Sequence, residues 1–152
     1  MNLCIETQHF ADTKVPVHSL LPDTRLDRAL APTRVLVVDD DPLCRSLVAR
    51  TVARAGFHTD TARDGEEGWS ALRTTEYDLL ITDNEMPRLD GIRMIRRLRA
   101  FAHGPPCILM TGNPPEPDSP LRTILHPGTV LPKPFTCLAL MEEVFSLLMR
   151  GA

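Results

Sequence analysis

The chain has 152 residues, 43% of them apolar and 24% charged, with a formal net charge of −3 at pH 7. That length and balance suit one domain with its own core, and the basic residues form nothing denser than Arg96, Arg97 and Arg99, which argues against a nucleic-acid partner. No apolar stretch reaches the ~20 residues that span a bilayer and no signal-peptide pattern opens the chain, while Cys4, Cys44, Cys107 and Cys137 have neither zinc nor Cys-x-x-Cys spacing, so the expectation is a cytoplasmic protein with reduced thiols and no membrane contact.

Residues 1–33 hold Pro16, Pro22 and Pro32, lack a sustained period, and read as a flexible extension with at most a helical turn around Leu20, Leu21, Leu26 and Leu30. Val35, Leu36, Val37 and Val38 then form an apolar run ending in Asp39 and Asp40, the pattern of a strand buried on both faces of a parallel sheet. Asp41 and Pro42 supply an N-cap and a first-turn proline, after which Leu43, Leu47, Val48, Val52 and Ala55 recur at helical spacing up to Gly56. His58–Ala62 is a second strand, and Asp64 with Glu67 forms a capping box for a helix carrying Trp69 and Leu72.

The third strand is expected over residues 77–83, ending in Asp83, and a turn-forming loop from Asn84 to Asp90 leads into a helix at Gly91. In that helix Gly91, Met94, Ile95, Leu98 and Phe101 share a face, while Arg93, Arg96, Arg97 and Arg99 point mainly to water. Cys107–Thr111 and residues 129–133 read as the fourth and fifth strands. Between them Pro114, Pro115, Pro117 and Pro120 leave room only for a short helix over residues 120–125, capped by Ser119. A last helix over residues 136–149 completes five βα units, so the fold class is α/β, a doubly wound five-stranded parallel sheet in the order 2-1-3-4-5.

In such a sheet the carboxyl ends of the strands at the switch point share one crevice, which brings Asp39, Asp40 and Asp83 together. Three adjacent carboxylates repel one another and stay ionised only around a cation, for which hard oxygen donors suit Mg²⁺. Thr111 closes the fourth strand with a hydroxyl, and Lys133 closes the fifth with a compact cation; only two of the 17 basic residues, Lys14 and Lys133, are lysine. Pro134 follows directly and makes a cis Lys133-Pro134 bond a specific expectation. A carboxylate nucleophile, a hard-cation site, a hydroxyl and an ammonium together suit phosphoryl transfer. Asp83 is the favoured nucleophile because it stands alone on the middle strand, whereas Asp39 and Asp40 form a pair able to hold Mg²⁺ directly or through water. Asp41 and Asp90 are explained by helix capping, and the five histidines lie in unrelated contexts without convergent acids.

The stretches VLVVDDD, DLLITDNEMPRLDG, ILMTG and LPKPF, in this order and spacing, resemble the receiver domain of two-component response regulators, with residues 34–150 as the domain and a flavodoxin-like fold. The resemblance implies that Asp83 accepts a phosphoryl group from a histidine kinase or phosphotransfer protein. It makes Asp39 and Asp40 the metal-site acids, Glu85 a metal ligand through its backbone carbonyl, Thr111 the switch hydroxyl and Lys133 the phosphate-contacting lysine. Such a domain is not a turnover enzyme and catalyses only its own phosphoryl transfer and slow dephosphorylation. The sequence departs from the family pattern at Val130, where an aromatic switch residue is usual, and in the proline-rich region of the fourth helix.

Output is expected through contact with another protein, since no effector domain follows the last helix. Leu138, Leu140, Met141, Val144, Phe145, Leu147, Leu148 and Met149 exceed one packing stripe, so the fifth helix, with the neighbouring strand edge at Val130, is the expected surface for a downstream target or self-association. Three other readings suit parts of the same pattern: a degenerate receiver acting unphosphorylated, a phosphohydrolase of the aspartyl-nucleophile kind, and a flavodoxin-like flavoprotein. The hydrolase pattern asks for an Asp two residues after the nucleophile, where Glu85 stands, and an acid-lined crevice repels a flavin phosphate.

Overall fold

The structure, a computed structural model, describes residues 32–101, 104–116 and 119–150. The flexible extension expected over residues 1–33 therefore lies outside the described residues except for Pro32 and Thr33.

Five parallel strands form one sheet in the order β2-β1-β3-β4-β5. They are β1 (Arg34–Val38), β2 (His58–Ala62), β3 (Leu79–Asp83), β4 (Cys107–Thr111) and β5 (Gly128–Pro132), joined in turn by α1 (Pro42–Arg54), α2 (Gly65–Thr74), α3 (Gly91–Phe101) and α4 (Leu121–Leu125), with α5 (Cys137–Arg150) last. The third strand starts at Leu79 rather than at residue 77, and Lys133 lies just past β5 rather than in it. Tyr77 is nonetheless buried, its hydroxyl donating to Asp60 at 3.0 Å.

Alternation along the strands divides the core in two, because successive side chains point to opposite faces. Leu36, Val38, Leu80, Cys107 and Leu109 face α2, α3 and α4 through Met94, Ile95, Leu98 and Leu125. Val35, Val37, Leu79, Ile81, Ile108 and Met110 face α1 and α5 through Val48, Val52, Leu140, Val144 and Leu147. With both faces covered, no position of β3 or β4 meets solvent, which is why these strands read as unbroken apolar runs.

The caps follow the sequence closely. Asp41 accepts the N–H of Leu43 at 2.8 Å, Asp64 that of Glu67 at 2.9 Å, Asp90 that of Arg93 at 2.7 Å and Thr136 that of Ala139 at 3.1 Å. Glu67 returns the contact by accepting from the N–H of Arg63 at 2.8 Å. Before α4, Ser119 Oγ accepts from the N–H of Leu121 at 3.3 Å. Gly56, just past α1, sits at a φ of 95°, a left-handed turn that glycine adopts without a Cβ penalty. Lys133-Pro134 is cis as expected, and so is His126-Pro127. Cys44, Cys107 and Cys137 are free thiols, and no helix among the described residues is long and apolar enough to cross a membrane.

Four helix-face assignments are corrected. In α1 only Val48 and Val52 are buried, while Leu43 and Leu47 are 80% and 56% exposed and Ala55 is exposed, because the helix presents a narrow stripe to the sheet. Phe101, expected in the core, is 79% exposed at the end of α3 and meets Trp69 edge-on, ring centroids 5.7 Å apart. In α5, Leu147 belongs to the core, and the exposed apolar residues are Leu138, Phe145 and Met149.

Arg99, expected in water, turns inward instead. Its guanidinium donates to the carbonyls of Ile124, Leu125, Pro127 and Pro105 at 3.1–3.3 Å and lies 3.2 Å from the Cys107 sulfur. The carbonyls at the end of α4 have no helical partner and form a negative cradle that a planar five-donor fork fits. Arg99→Ala should lower the unfolding free energy by about 2 kcal/mol, and Arg99→Lys should recover little of it, since one ammonium cannot reach four acceptors. Urea unfolding of the two variants measures this.

Candidate functional site

The register of the sheet assembles the site. Val38 pairs with Thr82, so the next residues, Asp39 and Asp83, emerge side by side from β1 and β3. Asp83 pairs with Met110, which sets Thr111 beyond it on β4, and Thr111 pairs with Pro132, which sets Lys133 beyond β5. A backbone bond from Lys133 N–H to the Thr111 carbonyl, at 2.9 Å, ties the last two together. Gly91 lets α3 start against the strand end: a Cβ there would lie 2.2 Å from the carbonyl oxygen of Asp83.

Asp39 and Asp83 are almost fully buried, at 1% and 2% exposure, and Asp40 is exposed beside them. One carboxylate oxygen from each of the three acids can be chosen so that all lie within 4.8 Å of one another. Lys133 Nζ stands 2.7 Å from Asp83 Oδ1 and 4.0 Å from Asp39 Oδ2. The first is a close, charge-assisted contact and the second a longer ionic one. The second oxygen of Asp39 accepts from the N–H of Asp41 at 2.9 Å, and its backbone carbonyl accepts from Arg45 at 2.7 Å.

Burial pushes the Asp83 carboxyl above the usual carboxylate range; Lys133 pulls it back only in part, and the charges of Asp39 and Glu85 push the same way as burial. For Lys133, burial disfavours the charge, but the hydrogen-bonding and charge of Asp83, with Asp39 behind it, hold the ammonium more firmly than usual. The Cys44 thiol, half-buried near Asp39, is pushed up to about 12, first by burial and then by that carboxylate, which makes it a poor nucleophile. Two buried anionic oxygens with only the Lys133 ammonium beside them, flanked by a third carboxylate open to solvent, are the donor set of a hard divalent cation, and Mg²⁺ fits it.

Asp39, Asp40, Asp83 and Lys133 thus converge as the sequence suggests. Thr111 is buried at 1% exposure, and its hydroxyl donates to the side chain of Glu85 at 2.6 Å. Sequence reasoning gives Glu85 only a backbone role, and nothing local marks its carboxylate as the partner of a residue on another strand. It also misses Arg88, whose backbone is left-handed at a φ of 67° and whose guanidinium pairs with the buried Asp64, tying the loop after β3 to the start of α2. The bond from the Glu67 N–H, with Arg88 adding its charge, holds the Asp64 carboxyl below its ordinary range. Val130 is half-buried, packed against the core side that faces α3 and α4.

The chain and its fold have counterparts among known proteins. The chain is 31% identical over 119 residues to the response regulator MprA of Mycolicibacterium vanbaalenii, an alignment that takes in 78% of this chain and 52% of that one, so the chain spans about half the length of the curated relatives it matches. The structure of the Vibrio cholerae chemotaxis protein CheY4 superposes with a TM-score of 0.70 at 26% identity, covering 78% of this chain and all of that one. The response regulator TrrA of Thermotoga maritima, in complex with Mg(2+)-BeF, superposes with a TM-score of 0.69 at 31% identity, covering 76% of this chain and 99% of the other. Residues 35–145, from the first strand to the last helix, match the response regulator receiver domain, and the chain belongs to that family.

Proposed function

We propose that this protein is a phosphorylation-dependent signalling switch in which Asp83 is the phosphoryl acceptor. The observation that carries the reading is the placement of Lys133 Nζ 2.7 Å from Asp83 Oδ1 inside a cluster of three carboxylates, where a phosphoryl group on Asp83 would meet a fixed cation. An oxygen of Asp83 attacks phosphorus, the bond from phosphorus to the donor nitrogen of a phosphohistidine breaks, and the electron pair leaves with the imidazole, which takes a proton. The product is an acyl phosphate on Asp83. Lys133 neutralises one phosphoryl oxygen and the Thr111 hydroxyl donates to another. Asp39, Asp40, Asp83 and the Glu85 carbonyl would hold Mg²⁺, which neutralises charge on the phosphoryl oxygens when bound. The Mg(2+)-BeF complex of the related TrrA supports this reading.

Receiver domains of response regulators work with histidine kinases, and a histidine kinase or phosphotransfer protein is the proposed donor. The domain turns over no external substrate beyond its own phosphoryl transfer and slow hydrolysis, and it acts in the cytoplasm. Incubation with acetyl phosphate and Mg²⁺ should add one phosphoryl group by intact-mass spectrometry, and chelation by EDTA should prevent it. Steady release of phosphate from a small ester without a labelled protein would favour the hydrolase reading and overturn this one. Lys133→Ala should keep the fold and lower the labelling rate by about a hundredfold, since a single preorganised charge of this kind contributes ~2–4 kcal/mol to such a step.

Output at α5 is part of the same proposal, with the surface assigned to Leu138, Phe145 and Met149. Leu147→Glu would break the core and says nothing about output. Leu138→Glu, at a position 70% exposed, is the informative variant. It should leave labelling intact and abolish any phosphorylation-dependent shift in sedimentation, and a wild-type chain that sediments as a monomer in both states removes self-association.

A further inference from the structure

A threonine hydroxyl has one proton to give, and here it is already given. Thr111 Oγ1 donates to Glu85 Oε1 at 2.6 Å, and the same oxygen accepts from the N–H of Asn113 at 3.1 Å. The hydroxyl is thereby held by the loop after β3 and by the turn after its own strand, and its proton is directed to a carboxylate rather than to Asp83. We propose that Glu85 is a latch, a positioning residue that holds the Thr111 hydroxyl in the resting state and must release it before Thr111 can donate to a phosphoryl oxygen. The inference rests on the acceptor role of Asp83 proposed above.

The physical argument is competition for one proton. A hydroxyl bound to a carboxylate makes a short, charge-assisted hydrogen bond, stronger than a neutral one, so it stabilises the resting state by more than an ordinary contact. Thr111 is buried, which limits the water able to take over its proton, whereas Glu85 is exposed and can leave. It has a place to go. A groove of about 500 Å³ lies between Asn84, Glu85, Arg93, Arg96 and Leu121 at the start of α4. Arg93 is engaged by Asp90 at 3.4 Å, and Arg96 makes no ion pair among the described residues. Phosphorylation of Asp83 offers Thr111 a more highly charged acceptor. The released Glu85 carboxylate then finds a cation in the groove that borders α4, so the exchange carries the state of the site toward that helix.

A second effect of Glu85 must be separated from the latch, because its charge also bears on Asp83 and repels an anionic phosphodonor. The test is the labelling rate with acetyl phosphate and Mg²⁺, read by intact mass, for Glu85→Ala and Glu85→Gln in three backgrounds: Thr111, Thr111→Ala and Thr111→Ser. The latch predicts that Glu85→Ala labels about tenfold faster in the Thr111 and Thr111→Ser proteins but within about twofold of its parent in Thr111→Ala, because the coupling needs both partners. Glu85→Gln keeps an oxygen that can accept from Thr111 and should stay within about threefold of the wild type. Equal acceleration by Ala and Gln, or the same acceleration with and without the hydroxyl, would reduce Glu85 to a repelling charge and overturn the latch while leaving the acceptor role standing. Absence of label on Asp83 in the wild type and all variants would overturn the acceptor role itself, and the latch with it.

Discussion

Asp83→Asn takes up no phosphoryl group under conditions in which the wild-type chain takes up one, the expected result if the buried acid on the middle strand is the nucleophile. The amide keeps the shape of the side chain and removes the attacking anion, so loss of label reports chemistry rather than collapse of the site. Label that persists in the variant would move the acceptor to Asp39 or Asp40, and peptide mapping would show which. The same substitution also has a stability consequence. Burial raises the folded-state pKa of Asp83 above its unfolded value, so the ionised carboxylate is less comfortable in the folded protein than in the unfolded chain. Its ionisation therefore opposes folding: the penalty is absent below the unfolded pKa, grows as pH rises through the folded pKa, and is complete above it. In EDTA at pH 7, Asp83→Asn should unfold at higher urea than the wild type, because it removes a carboxylate that burial and the charges of Asp39 and Glu85 disfavour while Asp39 remains near Lys133 as its counter-charge. The margin should close on acidification through the carboxylate range and shrink on adding Mg²⁺ to the wild type, which gains a counter-charge that the variant cannot use fully.

Gly91→Ala is expected to be strongly disruptive at the site. Its Cβ would lie 2.2 Å from the Asp83 carbonyl oxygen and 3.1 Å from the Leu109 side chain. The first of these is backbone and cannot turn aside, so either α3 backs away or the end of β3 bends. The cost should be about 3 kcal/mol at the top of the range for overpacking, read from urea unfolding. Because the strand end carries the acceptor acid, labelling should fall as well, even at temperatures where the variant remains folded. A variant of wild-type stability would mean that the start of α3 is not held against Asp83.

Residues that carry their signal in their immediate neighbours are legible from the amino-acid order alone. Val35 to Asp39 and Leu79 to Asp83 are continuous apolar runs ending in acid, and a run of that kind has one comfortable home, the interior of a parallel sheet with its last residue at the rim. Once the strand order follows from the βα alternation, Asp39 and Asp83 must be neighbours, and Lys133 must arrive beside them from β5. The caps at Asp41, Asp64 and Asp90 are equally local, because a side chain two or three residues from its donor needs no tertiary contact.

What the chain order could not decide were the contacts whose two halves come from distant elements. Arg99 looks like one more solvent-facing arginine on α3, and only the exit of α4, some two dozen residues later, supplies the carbonyls that draw it in. Helix α5 is apolar on more than one side, so its period cannot choose between Leu147 and Phe145; contact with β3, β5 and α1 buries the first and leaves the second half-exposed against Phe57. The bond between Glu85 and Thr111 joins the loop after β3 to the end of β4, and its acceptor is a carboxylate that any surface loop could carry. The sequence by itself determined the sheet, its order and the convergence of the acids with Lys133, because strand burial and helix capping act within a few residues. The tertiary structure alone decided which arginine turns inward, which helix face is left open and what the Thr111 proton is bound to, because those depend on groups that only the closed fold brings within reach.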